Sequence, residues 1–205
     1  MLPAMAATTE LILEFSRTAE WEAWLARHHD RPDAVLLRIP KQKGSDLTYP
    51  RALDAALAWG WIDSQKRALD ASAWLQRFSR RAAKSPWSKI NRGRAEALMA
   101  SGAMRPPGLA EVERARADGR WTRAYEGSRA AEVPADLASA LARKPRARAF
   151  FEALDRANRY AILWRVQTAK KPETRARRIE QFVALCLAGE TLHPARAKPR
   201  KAATR

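Results

Sequence analysis

The sequence predicts an α+β protein: a small N-terminal sheet with packed helices, in the order β-α-β-α-β-β, followed by an all-helical C-terminal half. Three observations carry this. Short strand candidates bounded by turn residues recur through the first 80 residues, interleaved with two helical stretches. From residue 85 onward the apolar residues recur at helical spacing, and Pro or Gly punctuates the segments. The apolar share of 46%, with eight tryptophans, is ample for a buried core.

Leu11-Ile12-Leu13-Glu14-Phe15 reads as the first strand. Ser16 or Thr18 then caps a helix in which Trp21, Trp24, Leu25 and His28 share one face. Residues 34–39 form a second strand ended by Pro40, and Gly44 marks the following loop. Thr48 caps the next helix, Pro50 lies in its first turn, and Leu53, Ala56 and Leu57 are its inward stripe. Gly60 stops that helix, and Trp61-Ile62-Asp63 reads as a turn leading to strands at 66–69 and 74–79. Ser85 or Ser88 opens a helix to about Ala100, and Pro106-Pro107 opens another with Leu109 and Val112 inward. Residues 120–132 carry little pattern and read as loop, and helices are expected at 134–143, 146–154, 156–167 and 172–188. In the last of these Ala176, Ile179, Val183, Cys186 and Leu187 form the inward stripe. The expected organisation is an α+β domain at 10–104, a helical connector at 105–132, a helical subdomain at 133–193 and a disordered basic tail at 194–205.

Charge is the second informative property. The formal net charge is +17, and it is segregated. Residues 71–94 hold seven bases and no acid, residues 143–178 hold twelve bases against three acids, and the last ten residues hold five bases and no acid. Such a distribution bears on partners rather than on fold, and it points to an anionic one. Nucleic acid is the most natural polyanion; a phosphorylated small molecule is the alternative.

Several function classes find no support. One cysteine, Cys186 in an apolar helix, allows neither an internal disulfide nor a Cys-rich zinc site, and three scattered histidines make no ligand set, so no metal and no cofactor is expected. There is no Gly-rich phosphate loop, G-x-S-x-G or H-E-x-x-H motif, so no catalytic residues are assigned and a binding role is favoured over an enzyme. The N-terminus lacks the features of a signal peptide and no run approaches a membrane span, so a cytoplasmic location without membrane insertion is expected.

Two candidate sites follow. In the first, Arg77, Arg80, Arg81 and Lys84 lead into a helix start at Ser88 and Lys89, where free backbone N–H groups favour an anion. Trp87 would stack a base, Asn91 and Arg92 would add polar contacts, and Asp63 would pair with Arg77 or Arg80 or act as a general base. A small phosphorylated ligand at residues 85–89 is the enzyme-or-sensor alternative. In the second, Lys170, Lys171, Arg175, Arg177 and Arg178 surround the start of the last long helix. Cations there oppose the helix dipole at ~0.3–1 kcal/mol each, a cost that a docked anion would relieve. A third reading has the C-terminal helices docking an acidic protein surface.

Four segments carry a family resemblance: Gly60-Trp61-Ile62-Asp63, Trp74-Leu75-Gln76-Arg77-Phe78-Ser79-Arg80-Arg81, Trp87-Ser88-Lys89-Ile90-Asn91-Arg92 and Thr168-Ala169-Lys170-Lys171-Pro172-Glu173-Thr174-Arg175. In order and spacing they resemble the YdeI/OmpD-associated, or bacteriocin-protection, family, over about residues 11–194. The resemblance implies a role in bacterial stress tolerance and a porin as associate, with no defined reaction. The helical unit at about 134–190 resembles the part of the family that carries the porin-associated name.

Overall fold

The computed structural model describes residues 10–127 and 131–194. The chain divides into two compact units, Met1–Ala124 and Tyr125–Arg205. The expected disordered tail lies, from residue 195 on, outside the described residues.

The N-terminal unit contains β1 (Leu11–Leu13), α1 (Thr18–His28), β2 (Val35–Pro40), α2 (Tyr49–Ala58), β3 (Trp61–Ala68), β4 (Ala73–Arg80), α3 (Lys89–Ala100) and α4 (Pro106–Ala117). The sheet order is β1-β2-β4-β3. β1 and β2 pair in parallel across the α1 crossover, and the other pairs are antiparallel. Alternation puts Val35, Leu37, Ile39 and Phe78 on the face that meets the helices, where they share one core with Trp21, Leu25, Leu53, Leu57 and Trp61. The opposite face carries Leu36 beside Arg77 and Arg38 beside Leu75.

Local chemistry accounts for the ends of these elements. The Glu20 carboxylate accepts from the backbone N–H groups of Ser16 and Arg17, and Asp46 accepts from that of Thr18. The start of α1 is therefore capped by acids, not by the Ser16 or Thr18 hydroxyl. Thr48 holds the N-cap position of α2 without a side-chain cap bond. In the β3–β4 turn, the Asp70 carboxylate accepts from Ser72 N (2.6 Å), Ser72 Oγ (2.7 Å) and Ala73 N (2.8 Å).

Two expectations are corrected here. β3 begins at Trp61, not at Lys66, because Gly60 at φ +77° turns the chain straight from α2 into the sheet. A bulge between Asp63 and Lys66 breaks the two-residue period, which hides the strand from a reading of alternation. In α4, Val112 is buried but Leu109 is 39% exposed, and Gly108 lies against α2 in its place.

The C-terminal unit contains α5 (Ala135–Ala142), α6 (Pro145–Ala153), α7 (Arg156–Gln167) and α8 (Pro172–Ala188), packed around Leu137, Leu141, Phe151, Ile162, Val166, Ile179 and Phe182. α8 ends at Gly189, whose φ of +73° suits the left-handed cap. Its inward stripe differs from the expected one. Ile179, Phe182 and Cys186 are buried, whereas Ala176 is exposed, Val183 half-buried and Leu187 39% exposed. The apolar arc of α8 is wider than its neighbours cover.

Candidate functional site

The residues of the first basic stretch do not converge. Trp87 is 2% exposed, its ring edge-on to Trp121, with the Arg81 guanidinium 3.8 Å from its centroid. The stacking face expected for a base is closed, because the ring completes the core around Trp121 and Ala95. Arg81 is itself 4% exposed and donates to the Pro86 carbonyl at 3.0 Å, which folds the chain before α3 over the indole. Ser88 Oγ accepts from Asn91 N at 3.1 Å, so the hydroxyl is engaged as the N-cap of α3. Arg92 donates to the Trp121 carbonyl and lies 3.5 Å from Glu96, and Arg80 donates to the Asp30 carbonyl. Lys84 and Lys89 are exposed and Asn91 is half-buried.

Asp63 pairs with neither Arg77 nor Arg80. It faces α2 and accepts from the Tyr49 hydroxyl at 2.7 Å. Burial, and then the Asp63 carboxylate, push the Tyr49 phenol upward, so it stays protonated and donating. Arg77 projects from the other face of β4, where it and Arg67 hold Glu10 at 2.5 and 2.7 Å. The hydrogen bond from Arg77 draws the Glu10 carboxyl below its usual range. Neighbouring residues on a strand point to opposite faces, which is why Arg77 and the partner of Phe78 in the register cannot share a cleft.

The second basic stretch divides into engaged and free cations. Arg175 grips Asp136 with two bonds, 2.6 and 2.9 Å, and donates to the Val166 carbonyl at 2.8 Å. Arg178 donates to the Arg165 carbonyl. Two arginines of α8 thus satisfy carbonyls at the end of α7, and they fix the angle between those helices. Lys170, Lys171 and Arg177 are exposed, and among the described residues none pairs with an acid. Arg143 and Lys144, at the end of α5, are likewise exposed and unpaired among the described residues.

Asn158 was not expected from the sequence. It is 2% exposed, donates to the His193 carbonyl at 3.2 Å and accepts from His193 N at 2.8 Å, tying the chain beyond α8 to α7. Asn158 is one of several polar residues of α7, so nothing local marks it for such a bond. Cys186 is buried, and burial pushes its thiol up, away from reactivity. Among the described residues no group of three or more His, Cys, Asp or Glu could hold a metal ion, and no helix is long and apolar enough to cross a membrane.

The Asp136–Arg175 pair makes a pH dependence testable. Its hydrogen bond from Arg175 holds the Asp136 carboxyl below the usual range. The folded pKa is depressed, so the contribution is present above an unfolded value of about 3.9 and is lost as pH falls through the lower folded value. With side chains 29% and 45% exposed, solvent screening keeps the effect small. Urea unfolding at stepped pH should show wild type more stable than Asp136→Asn near neutrality, with the gap closing below about pH 4. A gap that stays constant to pH 2 would mean the carboxylate charge contributes nothing.

These features define an α+β protein whose second unit is a small, strongly cationic helical domain. Residues 130–189 match the family described as Bacteriocin-protection, YdeI or OmpD-Associated, so the C-terminal unit carries the domain of that family. Residues 13–111 match a Domain of unknown function (DUF8412). The motif Thr168–Arg175 lies within the first of these stretches, and the motifs at 60–63, 74–81 and 87–92 lie within the second. A search of curated proteins and a search of solved structures each found no match.

Proposed function

We propose that the chain is a cytoplasmic binding protein of bacterial stress or bacteriocin protection that engages an anionic macromolecule with the cationic face of its C-terminal unit. The observation that supports this is the set of exposed cations Lys170, Lys171 and Arg177, unpaired with any acid among the described residues, next to arginines already engaged in holding the helices. Lys170 and Lys171 sit at the N-terminal end of α8, where their own helix dipole disfavours them, and an anion bound there offsets that cost. The protection role comes from the family description alone. A small phosphorylated ligand at residues 85–89 is less favoured, since binding there would compete with the Arg81–Trp87 stack and the Ser88 cap.

The test is anisotropy of a labelled single-stranded oligonucleotide and of a labelled polyglutamate, each at 50 and 200 mM salt. With about four charges neutralised, affinity should fall roughly 10²-fold across that range. The combined substitution Lys170→Ala, Lys171→Ala and Arg177→Ala should weaken binding by at least about tenfold at 50 mM salt. No binding of either polymer at 50 mM salt, or full binding by the triple variant, would refute the reading.

A further inference from the structure

The α8 surface left uncovered by its own unit forms one wall of a groove against α5, with a cavity volume of ≈780 Å³. Its floor is apolar: Ala140 from α5, and Ala176, Ile179, Val183 and Leu187 from α8. We propose that this groove docks an amphipathic helix of a protein partner, with the apolar face of that helix on the floor and acidic residues against Arg143 and Lys144. The inference deepens the anionic-partner reading and rests on it, because it names the chemistry of the partner at the same unit.

Spacing gives the first argument. Ala176, Val183 and Leu187 fall within 40° of one another on α8, and the eleven steps from first to last span about 16 Å at 1.5 Å per residue, three helical turns. A partner helix with anchors at i, i+4, i+7 and i+11 matches that length. The second argument is shape. Alanines at 140, 176 and 184 line the groove, and small side chains let a second backbone approach closely. Nucleic acid would meet no exposed aromatic platform and few donors on such a floor.

Charge selects the partner's flank. Arg143 and Lys144 stand on the rim without an acid among the described residues, whereas Arg175 on the same rim is already neutralised by Asp136. Arg143 is the C-cap of α5, where the helix dipole suits a cation, whereas Lys144 is the N-cap of α6, where the dipole disfavours one, so position alone explains Arg143 only. It does not explain the adjacency of both to an uncovered apolar floor. Glu180 is the one unpaired acid lining the groove among the described residues, so a single base on the partner facing it completes the match.

The experiment uses the full chain and labelled 15-residue helical peptides. One peptide carries leucines at i, i+4, i+7 and i+11 with flanking glutamates; the second is its scrambled isomer; the third replaces the glutamates with lysines. The first should bind at least about tenfold more tightly than either other. Ala176→Gln with Ala184→Gln, both exposed and both to a good helix former, should weaken the first peptide by at least about tenfold with an unchanged melting temperature. Arg143→Gln with Lys144→Gln should weaken it and flatten its salt dependence. Equal binding of the scrambled or lysine peptide overturns the proposal, as does unaltered binding by the groove variant. Self-association abolished by Ala176→Gln and Ala184→Gln would also overturn it, by making a second copy the occupant. If the oligonucleotide and polyglutamate still bind while the acidic peptide does not, only the groove inference fails; if none binds, the anionic-partner reading fails with it.

Discussion

Trp21→Ala is expected to destabilise the N-terminal unit by about 3–5 kcal/mol, the largest single-residue effect in the chain. The indole is fully buried, stacks on Trp24 at 5.3 Å between centroids, and meets the rings of Trp61 at 6.5 Å and Phe78 at 5.6 Å. Its Nε1 donates to the Ala52 carbonyl at 3.0 Å, which ties α1 to α2. Alanine there leaves a void bordered by other rigid rings, which relax poorly into it. A loss of this size is a large part of the roughly 5–15 kcal/mol that holds a typical domain folded. Urea unfolding followed by circular dichroism would measure it, and Trp21→Phe, which retains one ring, should lose less. A loss under about 1 kcal/mol would mean that the site collapses freely and that the aromatic cluster is not the centre of the core.

Gly108→Ala is expected to destabilise the same unit by about 1–3 kcal/mol, although glycine to alanine inside a helix ordinarily stabilises by about 0.5–1 kcal/mol. The sign is therefore the test. A β-carbon at Gly108 would come 2.2 Å from the Ala58 carbonyl oxygen and 2.7 Å from that of Leu57. Both are backbone atoms at the end of α2, so no rotamer change relieves the overlap, and α4 must move away. That movement also loosens the hydrogen bond from Arg105 N to the Ala58 carbonyl, 3.1 Å long. Gly93 in α3 is the control, because a β-carbon there meets nothing within 4 Å. Gly93→Ala should raise the melting temperature and Gly108→Ala should lower it. A rise in both would show that α2 and α4 are not in this contact.

Much of the fold was legible because its signals are local. Pro106-Pro107, Pro145 and Pro172 start helices that begin at or next to those residues, and Gly60, Gly102 and Gly189 fall at or just beyond helix ends with positive φ. The elements that misled the reading each depend on a neighbour distant in sequence. The early start of β3 is set by pairing with β4, and its bulge conceals the alternation. Leu109 gave way to Gly108 because the end of α2 leaves room there for no side chain. Periodicity places Ala176 and Leu187 inward, but only α5, α6 and α7 decide how much of that arc is covered.

The candidate site was less legible for the same reason. Clusters of charge are visible in the chain, but the acid that claims each base is not. Arg77 finds Glu10 across 67 residues, Arg94 finds Asp54 across 40, and Arg175 finds Asp136 across 39. Trp87 had the composition of a stacking platform and became part of the core once Trp121 packed against it.

The sequence by itself determined the α+β class, the places where most helices begin and end, and a surplus of cations gathered in three stretches. Those properties follow from backbone preference, side-chain periodicity and formal charge, which belong to each residue or to its near neighbours. Only the tertiary structure decided which of those cations are engaged and which stand free, that Trp87 is closed to ligands, and that α8 keeps an uncovered apolar face. Ion pairs and packing act over a few ångströms through space, so their outcome depends on which distant segments the fold brings together.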